Sequence, residues 1–179
     1  MDPFEKPEKG ITRFTMSRSL LELPHDYPLP FGYRVEPWFP PLMPAFAAAL
    51  AVSFSDSPDI LAYSDLVSKD GCLLMLNEIV NAPGFLSGAS WLVFFRREPC
   101  GLIVCSSSPS GPEGIVNIIG IAPRHRRMAI GQRLLIKALW AMRDRKLPRV
   151  HLKVNRDCRG AVIFFRSQGF QVGESKEYF

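Results

Sequence analysis

A run of apolar residues that ends in a basic turn constrains the fold of this chain more than any other segment. Residues 115–121 are almost entirely apolar, which predicts a buried central strand. Residues 123–131 then combine a proline, three arginines and a histidine, and apolar residues recur at helical spacing from Ile130. The first amides of a helix have no intrahelical partner, so a basic turn at this point is a receptor for phosphate.

Strands and helices are also predicted on both sides of this segment. The predicted strands cover residues 33–38, 91–95, 102–105, 150–154 and a last stretch that begins at Phe170. The predicted helices contain residues 42–50, 73–80 and 161–166, in addition to the long helix after the basic turn. From residue 115 onward the order is therefore strand, turn, helix, strand, helix, strand.

The length of the chain bounds its domain organisation. With 179 residues and 47% hydrophobic content, residues 31–179 are expected to form a single globular domain around one core. Residues 1–30 are rich in proline and charge, which predicts a flexible arm with at most one short strand at residues 11–16. No apolar stretch reaches the length of a membrane span and the N-terminus lacks the apolar centre of a signal peptide, so we expect a cytoplasmic protein with no membrane partner.

Charge and cysteine usage narrow the class of ligand. A formal net charge of +5 favours an anionic ligand. The four cysteines show no CxxC pairing and the three histidines are not spaced as ligands of one metal, so reduced thiols and no metal are expected. Aromatic residues do not interleave the cations of the basic turn, which argues against a nucleic-acid partner.

Two blocks of sequence resemble the GNAT (GCN5-related N-acetyltransferase) superfamily. The acyl-CoA signature of that family is Gln or Arg, two residues, Gly or Ala, one residue, then Gly or Ala, and residues 126–131 (Arg-Arg-Met-Ala-Ile-Gly) match it. The second block of the family normally reads Asn, two residues, Ala, three residues, Tyr, three residues, Gly-Phe. This chain keeps that spacing and changes two residue types, with Cys158, Ala161, Phe165, Gly169 and Phe170 in those places.

The resemblance implies an α/β (α+β) fold. Its central sheet would be mixed, mostly antiparallel and of six or seven strands, flanked by about four helices, with the fourth and fifth strands splayed apart. The chain ends soon after Gly169, where the family continues into a seventh strand. That strand would then be short, missing, or supplied by the partner subunit of a homodimer.

The resemblance also implies acetyl-CoA, or another acyl-CoA, as a cosubstrate, and no metal. An acetyl group would pass to a small-molecule or peptide amine by direct attack in a ternary complex. The pyrophosphate would lie on backbone amides of the turn, the pantetheine arm would follow the fourth strand, and a backbone amide near Ile119 would polarise the thioester carbonyl. The residues expected to hold the acyl-CoA are Ile119, Gly120, Ile121, Arg126, Arg127, Met128, Ala129, Ile130, Gly131, Gln132, Cys158 and Phe165.

The sequence leaves the chemistry of transfer open. The tyrosine of the second block often protonates the departing thiolate in the family, and Phe165 has no proton to give. Either solvent or another group takes that role, or the chain is a catalytically weak acyl-CoA sensor or interaction module, so no catalytic residue is assigned. Cys158 is either an inert small residue or, because it precedes a helix N-terminus, a thiol of lowered pKa.

Several other side chains are weaker candidates. Glu113 would either deprotonate the amine through water or be a solvated loop carboxylate. Tyr178 would act as an acid if the C-terminal strand folds back over the cleft, and His125 is expected to face solvent. Four acids between the first two helices and within the second are candidates to attract a cationic acceptor, although such acids are most often surface residues: Asp56, Asp59, Asp65 and Glu78.

Overall fold

The fold is described from a computed structural model over residues 11–61 and 63–178, with side chains except those of residues 11, 61 and 174–178. The strands of this part of the chain are β1 (Ile11–Ser19), β2 (Tyr33–Pro37), β3 (Trp91–Phe95), β4 (Glu98–Ser107), β5 (Glu113–Ile121), β6 (Arg149–Asn155) and β7 (Gln171–Tyr178). Its α-helices are α1 (Met43–Phe54), α2 (Lys69–Asn81), α3 (Ile130–Asp144) and α4 (Arg159–Ser167). Among these described helices, none combines the length and the apolar character that crossing a membrane requires.

The strands form one seven-stranded sheet in the order β2-β3-β4-β5-β6-β1-β7. All neighbouring strands are antiparallel except β5 and β6, which are parallel, so the predicted mixed and mostly antiparallel sheet is confirmed.

The N-terminal strand β1 lies inside the sheet, between β6 and β7. Met16 pairs with Leu152 on one side and Val172 on the other, and its side chain is completely buried. Burial of such a side chain stabilises the fold by roughly 1.5–3 kcal/mol, which explains why this part of the predicted flexible arm is ordered in the sheet. The domain therefore begins before residue 31, and the chain itself completes the seven-stranded sheet.

The helices cover the two faces of the sheet. Helices α3 and α4 pack on one face through buried residues such as Leu134, Leu139 and Phe165. Helices α1 and α2 pack on the other face through Phe46, Leu50 and other buried apolar residues. The apolar faces of α2, α3 and α4, together with the almost wholly apolar α1, place one core on each face of the sheet.

Strands β5 and β6 separate along their length. Their pairing runs from Glu113↔Arg149 to Val116↔Leu152 and ends there. On the opposite edge of β5, Val104 pairs with Ile118 and Cys105 with Val116, so Asn117 is the extra residue of a β-bulge, which bends the strand. The predicted splay is thus present, and we call the space between residues 117–121 of β5 and residues 153–155 of β6 the gap.

Candidate functional site

The turn between β5 and α3 presents six consecutive amides without backbone partners. Arg127 (φ 62°) and Ala129 (φ 58°) adopt left-handed conformations, and the first backbone bond of α3 runs from the Arg133 amide to the Ala129 carbonyl at 3.1 Å. Within the described residues, no backbone carbonyl accepts a hydrogen bond from the amides of residues 127–132. Successive amides around left-handed residues at a helix N-terminus form a concave anion site, and we call residues 127–132 the cradle.

The small residues of the cradle are not explained by packing within the protein. A left-handed conformation costs an L-residue such as Ala129 roughly 1–2 kcal/mol. A Cβ atom added to Gly131 would lie 3.5 Å from the Ile121 side chain and 3.8 Å from the Phe164 ring, which is ordinary contact. Backbone strain, and a glycine that the packing of the protein does not require, are expected where the main chain must approach a ligand closely.

The sequence suggested that Arg126 binds phosphate, but in the structure its guanidinium is held by other groups of the protein. Its guanidinium donates to both carboxylate oxygens of Asp56 at 2.7 Å, and also to the carbonyls of Ser53 and Ile121 at 2.9 Å each. The hydrogen bonds from Arg126 to the Asp56 carboxylate lower the pKa of Asp56. Arg126 therefore ties the turn to the C-terminal end of α1, and Asp56 neutralises part of its charge.

The predicted binding residues of β5 line the gap. Residues 119–121 pair with β4 on one edge and leave the other edge without a strand partner among the described residues. Gly120 lies so close to α1 that an added Cβ atom would be 2.7 Å from the Ser53 Cβ atom. An extended ligand in the gap can bond this free edge as an added strand would.

Two polar atoms that the sequence did not single out are buried near the gap. The Ser53 hydroxyl and the Asn117 side-chain oxygen have no hydrogen-bond partner among the described residues. Buried polar atoms of this kind are rare in folded proteins because each costs about 1–3 kcal/mol. No pattern in the sequence marks either residue, since the bulge at Asn117 and the close approach of α1 depend on the folded sheet.

Cys158 lies in a polar cluster at the end of β6. Its sulfur is 3.6 Å from Asp59 Oδ2 and 3.8 Å from Ser57 Oγ, and the Asn155 amide donates to Asp59 Oδ1 at 3.1 Å. Burial, with the charge of Asp59 as a further cause, raises the pKa of Cys158 to about 11. The alternative of a lowered pKa is therefore wrong, and the thiol stays protonated at neutral pH.

The Phe164 ring lies beside the cradle, 3.8 Å from a Cβ atom built on Gly131. Phe165, in the place of the family tyrosine, is 5% exposed and packs between Phe164 and Phe170 at centroid distances of 5.3 and 5.6 Å. Phe165 therefore belongs to the core beneath α4, while its neighbour lies beside Gly131.

Two of the weaker candidates, Glu113 and His125, contact other side chains. Glu113 contacts His151 Nδ1 at 3.3 Å at the closed end of the paired strands, about 20 Å along β5 from Ile119, so it is not in reach of the gap as a base. His125 does not simply face solvent, because its Nδ1 is 2.7 Å from the Tyr33 hydroxyl and its ring is half-buried. The side chain of Tyr178 lies outside the described residues.

Known proteins share this architecture. A GCN5-related N-acetyltransferase from Sphaerobacter thermophilus has a TM-score of 0.71 at 18% identity, over 94% of this chain and 50% of that one. The PaiA N-acetyltransferase from Thermoplasma acidophilum, solved with coenzyme A, has a TM-score of 0.62 at 16% identity, over 82% of this chain and 99% of that one. The mycothiol acetyltransferase of Thermobifida fusca (strain YX) is 39% identical over 64 residues, 36% of this chain and 20% of that protein.

The fold is the mixed-sheet fold of the solved N-acetyltransferases, with the cradle at the N-terminus of α3 and the gap between β5 and β6. The chain belongs to the Acetyltransferase (GNAT) family, whose match covers residues 55–170. It spans half the length of the Sphaerobacter thermophilus chain and a fifth of the mycothiol acetyltransferase.

Proposed function

We propose that this chain is an acyl-CoA-dependent N-acyltransferase that transfers an acetyl group from acetyl-CoA to a primary amine. The observation that carries the proposal is the row of six backbone amides in the cradle, beside the gap. These N–H groups have no backbone acceptor among the described residues and can donate to the oxygens of a pyrophosphate. The name of the PaiA N-acetyltransferase structure, which includes coenzyme A, supports the same cosubstrate.

The residues of the gap would orient the rest of the acyl-CoA. The free edge of residues 119–121 would bond the pantetheine arm, and the amide of Ile119 would polarise the thioester carbonyl. The Asn117 side-chain oxygen offers an acceptor for an amide N–H in the gap. These groups are fixed by the sheet before the ligand arrives, which is how a prepositioned dipole lowers a barrier.

Direct attack of the amine is favoured over a covalent acyl-enzyme. In direct attack the amine nitrogen bonds to the carbonyl carbon, the carbon–sulfur bond breaks, the amine loses a proton and the CoA thiolate gains one. Cys158 is the thiol beside the gap, and its pKa of about 11 keeps it a poor nucleophile. Phe165 supplies no proton, so water protonates the thiolate in this proposal.

The lack of a hydroxyl at Phe165 favours a second candidate, a catalytically weak acyl-CoA sensor. A thiol-release assay with acetyl-CoA and a panel of small amines and peptide N-termini separates the two. The name of the mycothiol acetyltransferase supports placing small-molecule amines first in that panel. Release of free CoA that depends on an amine supports the enzyme, whereas acetyl-CoA binding without release across the panel supports the sensor.

A further inference from the structure

A half-buried carboxylate lies at the gap on the side of α1 and α2. Asp59 belongs to the short 3₁₀ turn Pro58–Leu61 that follows α1, and the next residue, Ile60, packs on the core beneath α1 and α2. The cradle begins α3, which packs on the opposite face of the sheet. Asp59 therefore belongs to the segment that follows α1, whereas the cradle belongs to the helix on the opposite face of the sheet.

Asp59 is held by a residue on the β6 side of the gap. Pairing between β5 and β6 ends at Val116 and Leu152, so Ile119 lies on the β5 side of the gap and Asn155 on the β6 side. Asn155 is 4% exposed, and its side-chain amide holds Asp59 Oδ1 at 3.1 Å. The carboxylate is thus fixed one side chain away from the β6 side of the gap.

Among the described residues, the groups that hydrogen-bond to this carboxylate are neutral. Its described partners are the Asn155 side-chain amide, the Ser57 hydroxyl and the Cys158 thiol, each of which donates to a carboxylate oxygen. Asp59 makes no salt bridge with any side chain that the structure describes, unlike Asp56, which is paired with Arg126. A partly desolvated carboxylate without a counter-ion binds a cation more strongly than a solvated one does.

We propose that Asp59 binds the ammonium group of the acceptor, so that the acceptor is a primary amine that is cationic at neutral pH. This inference rests on the proposed function, because it places the amine opposite a thioester held near Ile119. Asp59 is a specificity-determining residue in this account. It selects a charged amine and positions it beside the gap before the amine loses its proton to solvent.

The test compares a charged and an uncharged acceptor. Butylamine is an ammonium ion at neutral pH, whereas methoxyamine is uncharged there. In Asp59→Asn, the KM for butylamine should rise by roughly 10- to 100-fold, the worth of a hydrogen bond to a charged group, and the KM for methoxyamine should change by less than about threefold. The matched control is Asp144→Asn, which removes an exposed carboxylate from the C-terminal end of α3 and should leave both values unchanged.

Two further measurements keep the outcomes distinct. Equilibrium titration of the CoA-loaded protein with each amine repeats the comparison without turnover, and isothermal titration with acetyl-CoA checks that each variant retains its cosubstrate. Acetyl-CoA binding with unchanged discrimination between the two amines in Asp59→Asn overturns this proposal alone. A wild-type protein that does not bind acetyl-CoA overturns both proposals, and an equal loss for both amines identifies Asp59 as a merely structural residue.

Discussion

Replacing Gly131 by glutamate should separate binding from stability. An added Cβ atom meets only ordinary contacts at this position, and a glycine in a helix costs up to about 1 kcal/mol relative to other residues. An acidic side chain in the first turn of α3 also interacts favourably with the helix dipole, by about 0.3–1 kcal/mol. The variant should therefore fold, with a midpoint of thermal unfolding equal to that of the wild type or about 2–4 °C higher.

The same glutamate should oppose the pyrophosphate in the cradle. Two like charges about 4 Å apart repel by about 4 kcal/mol at an effective dielectric constant near 20, and by about half of that when solvent screens them more. The Kd for acetyl-CoA, measured by isothermal titration, should rise by roughly 30- to 1000-fold. Gly111→Glu adds the same charge near the far end of β5, where a Cβ atom meets nothing within 4 Å, and should leave the Kd unchanged. An unchanged Kd in Gly131→Glu would refute the placement of the pyrophosphate.

Three further outcomes follow from the geometry around the gap. Gly120→Ala brings a Cβ atom to 2.7 Å from that of Ser53. The clash should cost about 1–3 kcal/mol of unfolding free energy and lower the midpoint of thermal unfolding by about 2–10 °C. An unchanged midpoint would contradict the close packing of α1 against β5. Asp56→Asn should cost less than about 1 kcal/mol of unfolding free energy, because the Asp56–Arg126 pair is half-exposed. Because folding lowers the pKa of Asp56, the stabilisation from the ion pair is present at a pH above the ordinary pKa of aspartate and is lost as the pH falls through the folded pKa. In urea unfolding, the difference in unfolding free energy between the wild type and Asp56→Asn should therefore shrink below about pH 4. Iodoacetamide should modify Cys158 roughly 100-fold more slowly at pH 7.5 than it modifies an unhindered cysteine peptide, and fast labelling would contradict its pKa of about 11.

Much of the fold could be predicted from the sequence, because local patterns specify local elements. The alternation at residues 150–154 and the apolar face that begins at Ile130 are visible in any short window, and they became β6 and α3. The position of β1 could not be predicted in this way. The hydrophobic pattern of a strand indicates which of its residues are buried, but it does not indicate which strands lie beside it. The sequence of residues 11–19 therefore does not predict that β1 lies between β6 and β7.

The candidate site was predictable where it depends on backbone, and less so where it depends on side chains. The cradle follows from a turn that leads into a helix, which the spacing of residues 126–131 indicates. The partner of Arg126 is 70 residues away in the chain, and the carboxylate beside Cys158 is 99 residues away. Such contacts decide whether a cation is free and whether a thiol is acidic, and only the folded chain brings them together.

The most direct test of the acyl-CoA site is an NMR titration of the ¹⁵N-labelled protein with coenzyme A. The amides of residues 127–132 have no backbone partner in the described structure, so they should show the largest chemical-shift changes, together with those of residues 119–121 on the free edge of β5. The amides at the far end of β5, near Glu113, should change little. Saturable shifts centred on the cradle and the gap are the predicted result, and an absence of shifts there at saturating coenzyme A would contradict the account.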